Sequence, residues 1–127
     1  MKNQFSADYA SYEIFEPNRK RFWYNQLFNA EGYTASVTNV GHGTSRYIDQ
    51  TATHAVLNER EERFLYLRDE ESKACWSVGK FPLMEPVDRL FCEHSMGFSR
   101  IETDNLGIEA AWTLFVPVHG YHEVWLL

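Results

Sequence analysis

Between Leu106 and Val116 the apolar residues Leu106, Ile108, Ala110, Trp112, Leu114 and Val116 occupy every second position, with Glu109 and Thr113 among the residues between them. Successive side chains of a strand point to opposite faces, so this period of two predicts a half-buried β-strand and is incompatible with an amphipathic helix. Pro117, which has no N–H to give to a ladder, ends it. Further strands are expected at Tyr12–Glu16, Phe22–Asn29, Tyr33–Asn39, Arg63–Arg68, Ala74–Val78, Arg89–His94, Phe98–Glu102 and His122–Leu127. Each is rich in aromatic or β-branched residues and bounded by Gly, Pro, Asn or Asp. Asn29–Gly32, Asp69–Ser72, Asp104–Gly107 and His119–Gly120 carry the turn residues that join antiparallel neighbours.

About nine short strands joined by such turns make an all-β chain, an antiparallel β-sandwich with little or no helix. One helical alternative exists at Thr51–Arg63, where Thr51 or Thr53 could cap the first turn and Glu59 and Arg63 stand four apart. Its apolar stripe is thin. At 127 residues the chain fits one domain, 1–127, since single cores commonly occupy about 100–200 residues. A hydrophobic fraction of 44% against 24% charged residues is that of a folded protein rather than a solvated tail.

The net charge of −6 argues against nucleic acid as a partner, because phosphate binding needs clustered Lys and Arg. The basic run Asn18–Arg21 is short, follows Pro17 and reads as a solvated turn. Cys75 and Cys92 lie in apolar surroundings without metal-ligand spacing and are expected to be reduced and buried. No charged head followed by an apolar stretch marks a secretory signal, and no segment approaches the roughly 20 apolar residues that cross a bilayer. A cytoplasmic protein without membrane contact is the expectation.

The chain closes on Glu123–Leu127 (EVWLL), three apolar residues at the end of a strand pattern. Chain termini are usually polar and loosely held. Either the strand is tucked into a sheet or the sandwich continues beyond it. An uncovered edge and apolar face would favour self-association, so a homodimer or larger oligomer is expected.

Several segments occur in a fixed order: Gly41–Asp49 (GHGTSRYID), Tyr66–Asp69 (YLRD) followed by Cys75–Ser77 (CWS), Gly97–Ile101 (GFSRI) and Leu114–Pro117 (LFVP). From about Tyr12 to the last residue the chain resembles the opening domain of the inverting glycoside phosphorylases typified by cellobiose phosphorylase, glycoside hydrolase family 94, formerly glycosyltransferase family 36. The resemblance implies the front half of a larger β-sandwich that packs on a helical barrel, supports a dimer and borders a sugar site. It implies an extended connection, not a helix, at Thr51–Arg63. In such enzymes the catalytic acid is an aspartate in the downstream barrel, and no residue here corresponds to it. The partners implied are a β-glucoside disaccharide and either a second copy or a catalytic barrel; no cofactor is implied.

Within Gly41–Asp49, Ser45, Arg46, Tyr47 and Asp49 offer a hydroxyl, a planar cation, an amphipathic ring and a carboxylate within five positions. Sugar hydroxyls and ring faces favour that mixture. The alternative is a structural hairpin built on two glycines. The family shares the serine, tyrosine and aspartate, but has a further glycine where His42 stands and an aromatic where Arg46 stands. Trp23 is expected in the core, Asn25 on the backbone of a neighbouring turn, and Arg100 buried against Asp69 or Glu93. Asp69, Glu70 and Glu71 read as solvated loop charge. His119 and His122 lack partners for zinc, and Cys92 and His94 share a strand face without the third group of a nucleophilic site. Two other functions stay open: a free-standing assembly protein without a small ligand, and a small enzyme, for which no catalytic constellation is present.

Overall fold

The structure is a computed structural model that describes residues 2–17, 22–48, 54–58 and 63–127. Twelve strands follow one another among these residues: β1 (Gln4–Phe5), β2 (Ser11–Phe15), β3 (Tyr24–Phe28), β4 (Tyr33–Thr38), β5 (Ser45–Ile48), β6 (His54–Asn58), β7 (Tyr66–Arg68), β8 (Cys75–Ser77), β9 (Arg89–Ser95), β10 (Ser99–Asn105), β11 (Ile108–Phe115) and β12 (Val124–Leu126). They form a six-stranded sheet in the order β1-β2-β9-β10-β11-β12, a four-stranded sheet β3-β4-β5-β6 and a β7-β8 ribbon. Every pairing is antiparallel. The chain is therefore an all-β sandwich, with no helix among the described residues.

The core lies between the two larger sheets. Ile14, Leu90, Cys92, Ile101, Trp112 and Leu114 come from one; Leu27, Tyr33, Ala35 and Val37 come from the other. Alternation is what puts them there: in β4, Tyr33, Ala35 and Val37 are buried while Thr34 and Ser36 are not fully covered. Trp112 is completely buried, and truncating a tryptophan so placed typically costs about 3–5 kcal/mol.

Several expectations are corrected. Leu106 lies in a two-residue turn rather than on the buried face, because Asn105 pairs with Ile108 and both Leu106 and Gly107 adopt positive φ, 54° and 76°. Trp23 is 47% exposed, just ahead of β3, where its ring stacks on Tyr12 with centroids 5.0 Å apart. Cys75 is exposed, while Cys92 is buried and both are free thiols. Arg100 is half exposed and pairs with Glu102 at 3.0 Å. Within the stretch considered for a helix, His54–Asn58 is strand β6, and the remainder up to residue 62 lies outside the described residues. The run Asn18–Arg21 lies outside them too.

Candidate functional site

The glycine-bracketed segment becomes the β4–β5 connection and strand β5. Gly41 has φ +87° and sits where an added Cβ would lie 2.4 Å from the Trp112 ring; Gly43 has φ +142° and would place a Cβ 1.8 Å from the Ser36 carbonyl oxygen. Only glycine allows this approach of backbone to backbone. The chain then enters β5 with Tyr47 opposite Tyr33, Arg46 opposite Thr34 and Ser45 opposite Ala35. Since Tyr33 and Ala35 face the core, Ser45 and Tyr47 point inward and Arg46 points out.

Ser45 is buried in a charged network that the sequence did not disclose. Arg63, with 1% of its side chain exposed, donates from Nε to Glu123 Oε1 at 2.7 Å and from Nη2 to Glu123 Oε2 at 2.6 Å. It also donates to the carbonyl oxygens of Ser36 (2.6 Å) and Thr44 (3.1 Å) and to Ser45 Oγ (2.8 Å). Ser45 Oγ donates in turn to Glu123 Oε2 at 3.0 Å, and Trp125 Nε1 donates to Oε1 at 2.9 Å. Burial pushes the Glu123 carboxyl up, but the Arg63 guanidinium, with Trp125 and Ser45, outweighs it and holds the group below the usual glutamate range. A guanidinium fork on a carboxylate, with further donors filled by carbonyls, is how a buried ion pair is made tolerable.

Tyr47 packs on Tyr121, ring centroids 4.3 Å apart. Tyr121 is absent from the residues the sequence singled out, yet the structure holds its loop firmly. Asn29 Nδ2 donates to the carbonyls of Pro117 (3.0 Å) and Gly120 (2.8 Å), and Glu31 accepts from the Gly120 N–H (2.8 Å) and contacts His119 Nδ1 (3.0 Å). The Gly120 and His119 contacts lower the Glu31 carboxyl. The signal was present in Asn29–Gly32 and His119–Gly120, both recognised as turns; their pairing across 88 or more residues was not legible. Asp49 lies outside the described residues. The arrangement thus puts Arg46 on the outward face of β5, able to donate to hydroxyls, and on the inward face a tyrosine pair beside a buried ion pair, able to stack on a ring.

Other suspected chemistry dissolves on inspection. Cys92 Sγ lies 3.8 Å from both His94 ring nitrogens, but burial pushes the thiol far up and the histidine down, the reverse of an activated pair. His94 instead contacts Ser99 Oγ (2.9 Å) and the Trp23 carbonyl (3.2 Å). Asn25 donates to the carbonyls of Ser95 (2.6 Å) and Phe98 (2.9 Å), holding the β9–β10 turn as expected of it. Asp69 accepts from the backbone N–H groups of Glu71 and Ser72 within its turn. Among the described residues no three His, Cys, Asp or Glu side chains gather as a metal requires. No helix among them is long and apolar enough to cross a membrane.

The fold defines the class: an antiparallel β-sandwich. Residues 8–127 match the family described as "Glycosyl hydrolase 94, supersandwich domain", and the chain belongs to that family. It is 32% identical over 117 residues to the 3-O-beta-D-glucopyranosyl-beta-D-glucuronide phosphorylase of Paenibacillus borealis, covering 90% of this chain and 14% of that protein. It is 31% identical over 86 residues to the solabiose phosphorylase of the same organism, covering 67% and 11%. With the N,N'-diacetylchitobiose phosphorylase of Vibrio furnissii it shares 30% identity over 129 aligned residues, covering 95% and 16%. The chain thus spans about one sixth or less of the length of these relatives.

Proposed function

We propose that this chain is the carbohydrate-associated β-sandwich module of a disaccharide phosphorylase, itself without the catalytic acid, that supports a dimer and borders a sugar site. The observation that carries this reading is the supersandwich match over residues 8–127, on a single continuous core. The relatives are named as phosphorylases of glycosides and disaccharides. Phosphorolysis with inversion needs a carboxylic acid on the leaving oxygen and phosphate on the opposite face; in this reading a helical barrel supplies both sites. Arg46 on one face of β5 and Tyr47, backed by Tyr121, on the other are the residues proposed to contact a β-glucoside disaccharide, with Ser45 fixing the strand and Asp49 a further candidate. The cytoplasm is the compartment proposed.

Calorimetric titration with cellobiose, and with glucose 1-phosphate alongside, tests the sugar contact. Saturable heat that Tyr47→Ala reduces is the expected result; flat titrations at millimolar sugar would reduce the module to a scaffold. A second reading, an assembly protein without a small ligand, draws on the exposed apolar residues Trp125, Leu126 and Leu127 at the β12 edge. Light scattering at micromolar concentration should give twice the chain mass under either reading, and a monomer would overturn the dimer.

A further inference from the structure

At the β2–β9 side of the six-stranded sheet, away from β12 and the Tyr47–Tyr121 pair, the structure holds an open cleft of about 850 Å³ between Phe15–Pro17, the Lys80–Asp88 loop and the first residues of β9. That volume is within the range of small-molecule sites, roughly 300–1,000 Å³. We propose that this cleft is a second ligand site, for an uncharged saccharide of two or three rings.

The lining sets the class. Phe15 and Phe91 meet with centroids 5.3 Å apart and give an aromatic wall. Such rings receive the C–H faces of pyranoses through dispersion and their quadrupole. Around them stand the carboxylates of Glu16, Glu85 and Asp88 and the ammonium of Lys80, which can accept from and donate to hydroxyls. Arg89 also lines the cleft, but Glu102 and Asp104 hold its guanidinium at 3.2 and 3.3 Å and it lies over the Phe91 ring. Among the described lining residues Lys80 is left as the positive charge beside three carboxylates, a balance that disfavours a phosphate or a uronate. A purely apolar ligand would strip water from those carboxylates without replacing its hydrogen bonds. A neutral polyol with one apolar face avoids both costs.

The walls are also built in advance of any ligand. Glu16, Lys80 and Met84 adopt positive φ of 57°, 77° and 59°, three of the six non-glycine residues that do so among the described residues. Backbone held in this region concentrates at ligand clamps and needs support from its surroundings. Here the support is visible: the Lys80 N–H donates to the Ser77 carbonyl (3.1 Å), the Met84 N–H to the Lys80 carbonyl (2.9 Å) and the Leu83 N–H to Ser77 Oγ (3.3 Å). At the far end Asp88 accepts from the Leu106 N–H at 3.1 Å. A cleft whose backbone is held beforehand loses less freedom when it binds.

The test is a titration of the isotope-labelled chain with cellobiose, followed by backbone amide shifts, with glucose 1-phosphate as the anionic comparison. Saturable shifts at residues 15, 16 and 80–91, unaffected there by Tyr47→Ala and weakened at least about fivefold by Phe91→Leu, are expected. Glu85→Gln, at an exposed position, should weaken binding by a smaller factor and keeps the test valid should Phe91→Leu not fold. Absence of saturation at residues 80–91, shifts confined to Arg46, Tyr47 and Tyr121, or equal response to glucose 1-phosphate would each overturn the proposal. A cleft that binds while Tyr47→Ala changes nothing separates this site from the one at the domain edge.

Discussion

At the scale of single residues, Arg63 and Glu123 weigh as much as the largest side chain in the core. Each nitrogen of the guanidinium is engaged from inside the fold, so removing one partner strands a charge rather than deleting a contact. Arg63→Met should lower the unfolding free energy in urea by about 3–5 kcal/mol. The pH dependence follows from Glu123, whose carboxyl is more acidic folded than unfolded. Its contribution is complete above the usual glutamate range and is lost as pH falls through the lowered folded-state value. Glu123→Gln should therefore be markedly less stable than the parent near neutrality, the gap narrowing on acidification; a gap constant from pH 7 to pH 3 would refute this. Gly43 gives a steric contrast. Gly43→Ala places its methyl group inside contact distance of the Ser36 carbonyl and should cost more than about 3 kcal/mol, whereas Gly97→Ala, with no atom within 4 Å, should stay within about 0.5 kcal/mol. Urea denaturation of the two variants side by side checks the pair.

At the scale of elements, the strands declared themselves where the information was local. The period of two in Leu106–Val116 and the glycine, asparagine and aspartate turns need only neighbouring residues to be read. Which face those strands would cover was less legible: Trp23 looks like core by composition, but it lies just ahead of an edge strand and packs on Tyr12 instead. Strand β5 was hidden because Gly41 and Gly43 made its entry look like loop, and its hairpin is visible only through pairing with β4. Leu106 shows a local rule broken. The turn it occupies requires positive φ at both central positions, which asparagine accepts more readily than leucine. Leu106→Asn should stabilise the β10–β11 hairpin by about 1 kcal/mol, seen as a raised urea midpoint with unchanged slope. The β3–β4 turn offers a second element-scale test. Asn29→Ala deletes the bonds to Pro117 and Gly120, so hydrogen exchange at Gly120 and Tyr121 should accelerate at least about tenfold while the β9–β10–β11 core exchanges as before.

At the scale of the whole molecule, the resemblance in the ordered motifs reached the family and the fold, because segment order survives where individual contacts change. It did not reach the candidate site in full. Ser45, Arg46, Tyr47 and Asp49 were proposed from residue types alone, whereas the contact of Tyr47 with Tyr121 and the ion pair beside Ser45 bring distant stretches together. Long-range contacts carry no signature in a single sequence, since neither partner alone announces the other. The exposed β12 edge is the feature of the assembled sandwich most open to experiment. Leu126→Lys puts a charge on that edge and should shift a dimer toward monomer in light scattering without lowering stability, as edge charges do in other sheets.

The ion pair between Arg63 and Glu123 also sets a clock. The partners are separated by 60 positions, which a ribosome traverses in roughly 3–12 s at 5–20 residues per second. For that interval the four-stranded sheet, with Arg63 beside it, waits for its carboxylate, and the nascent Arg63 stays without its counter-ion until Glu123 has been made.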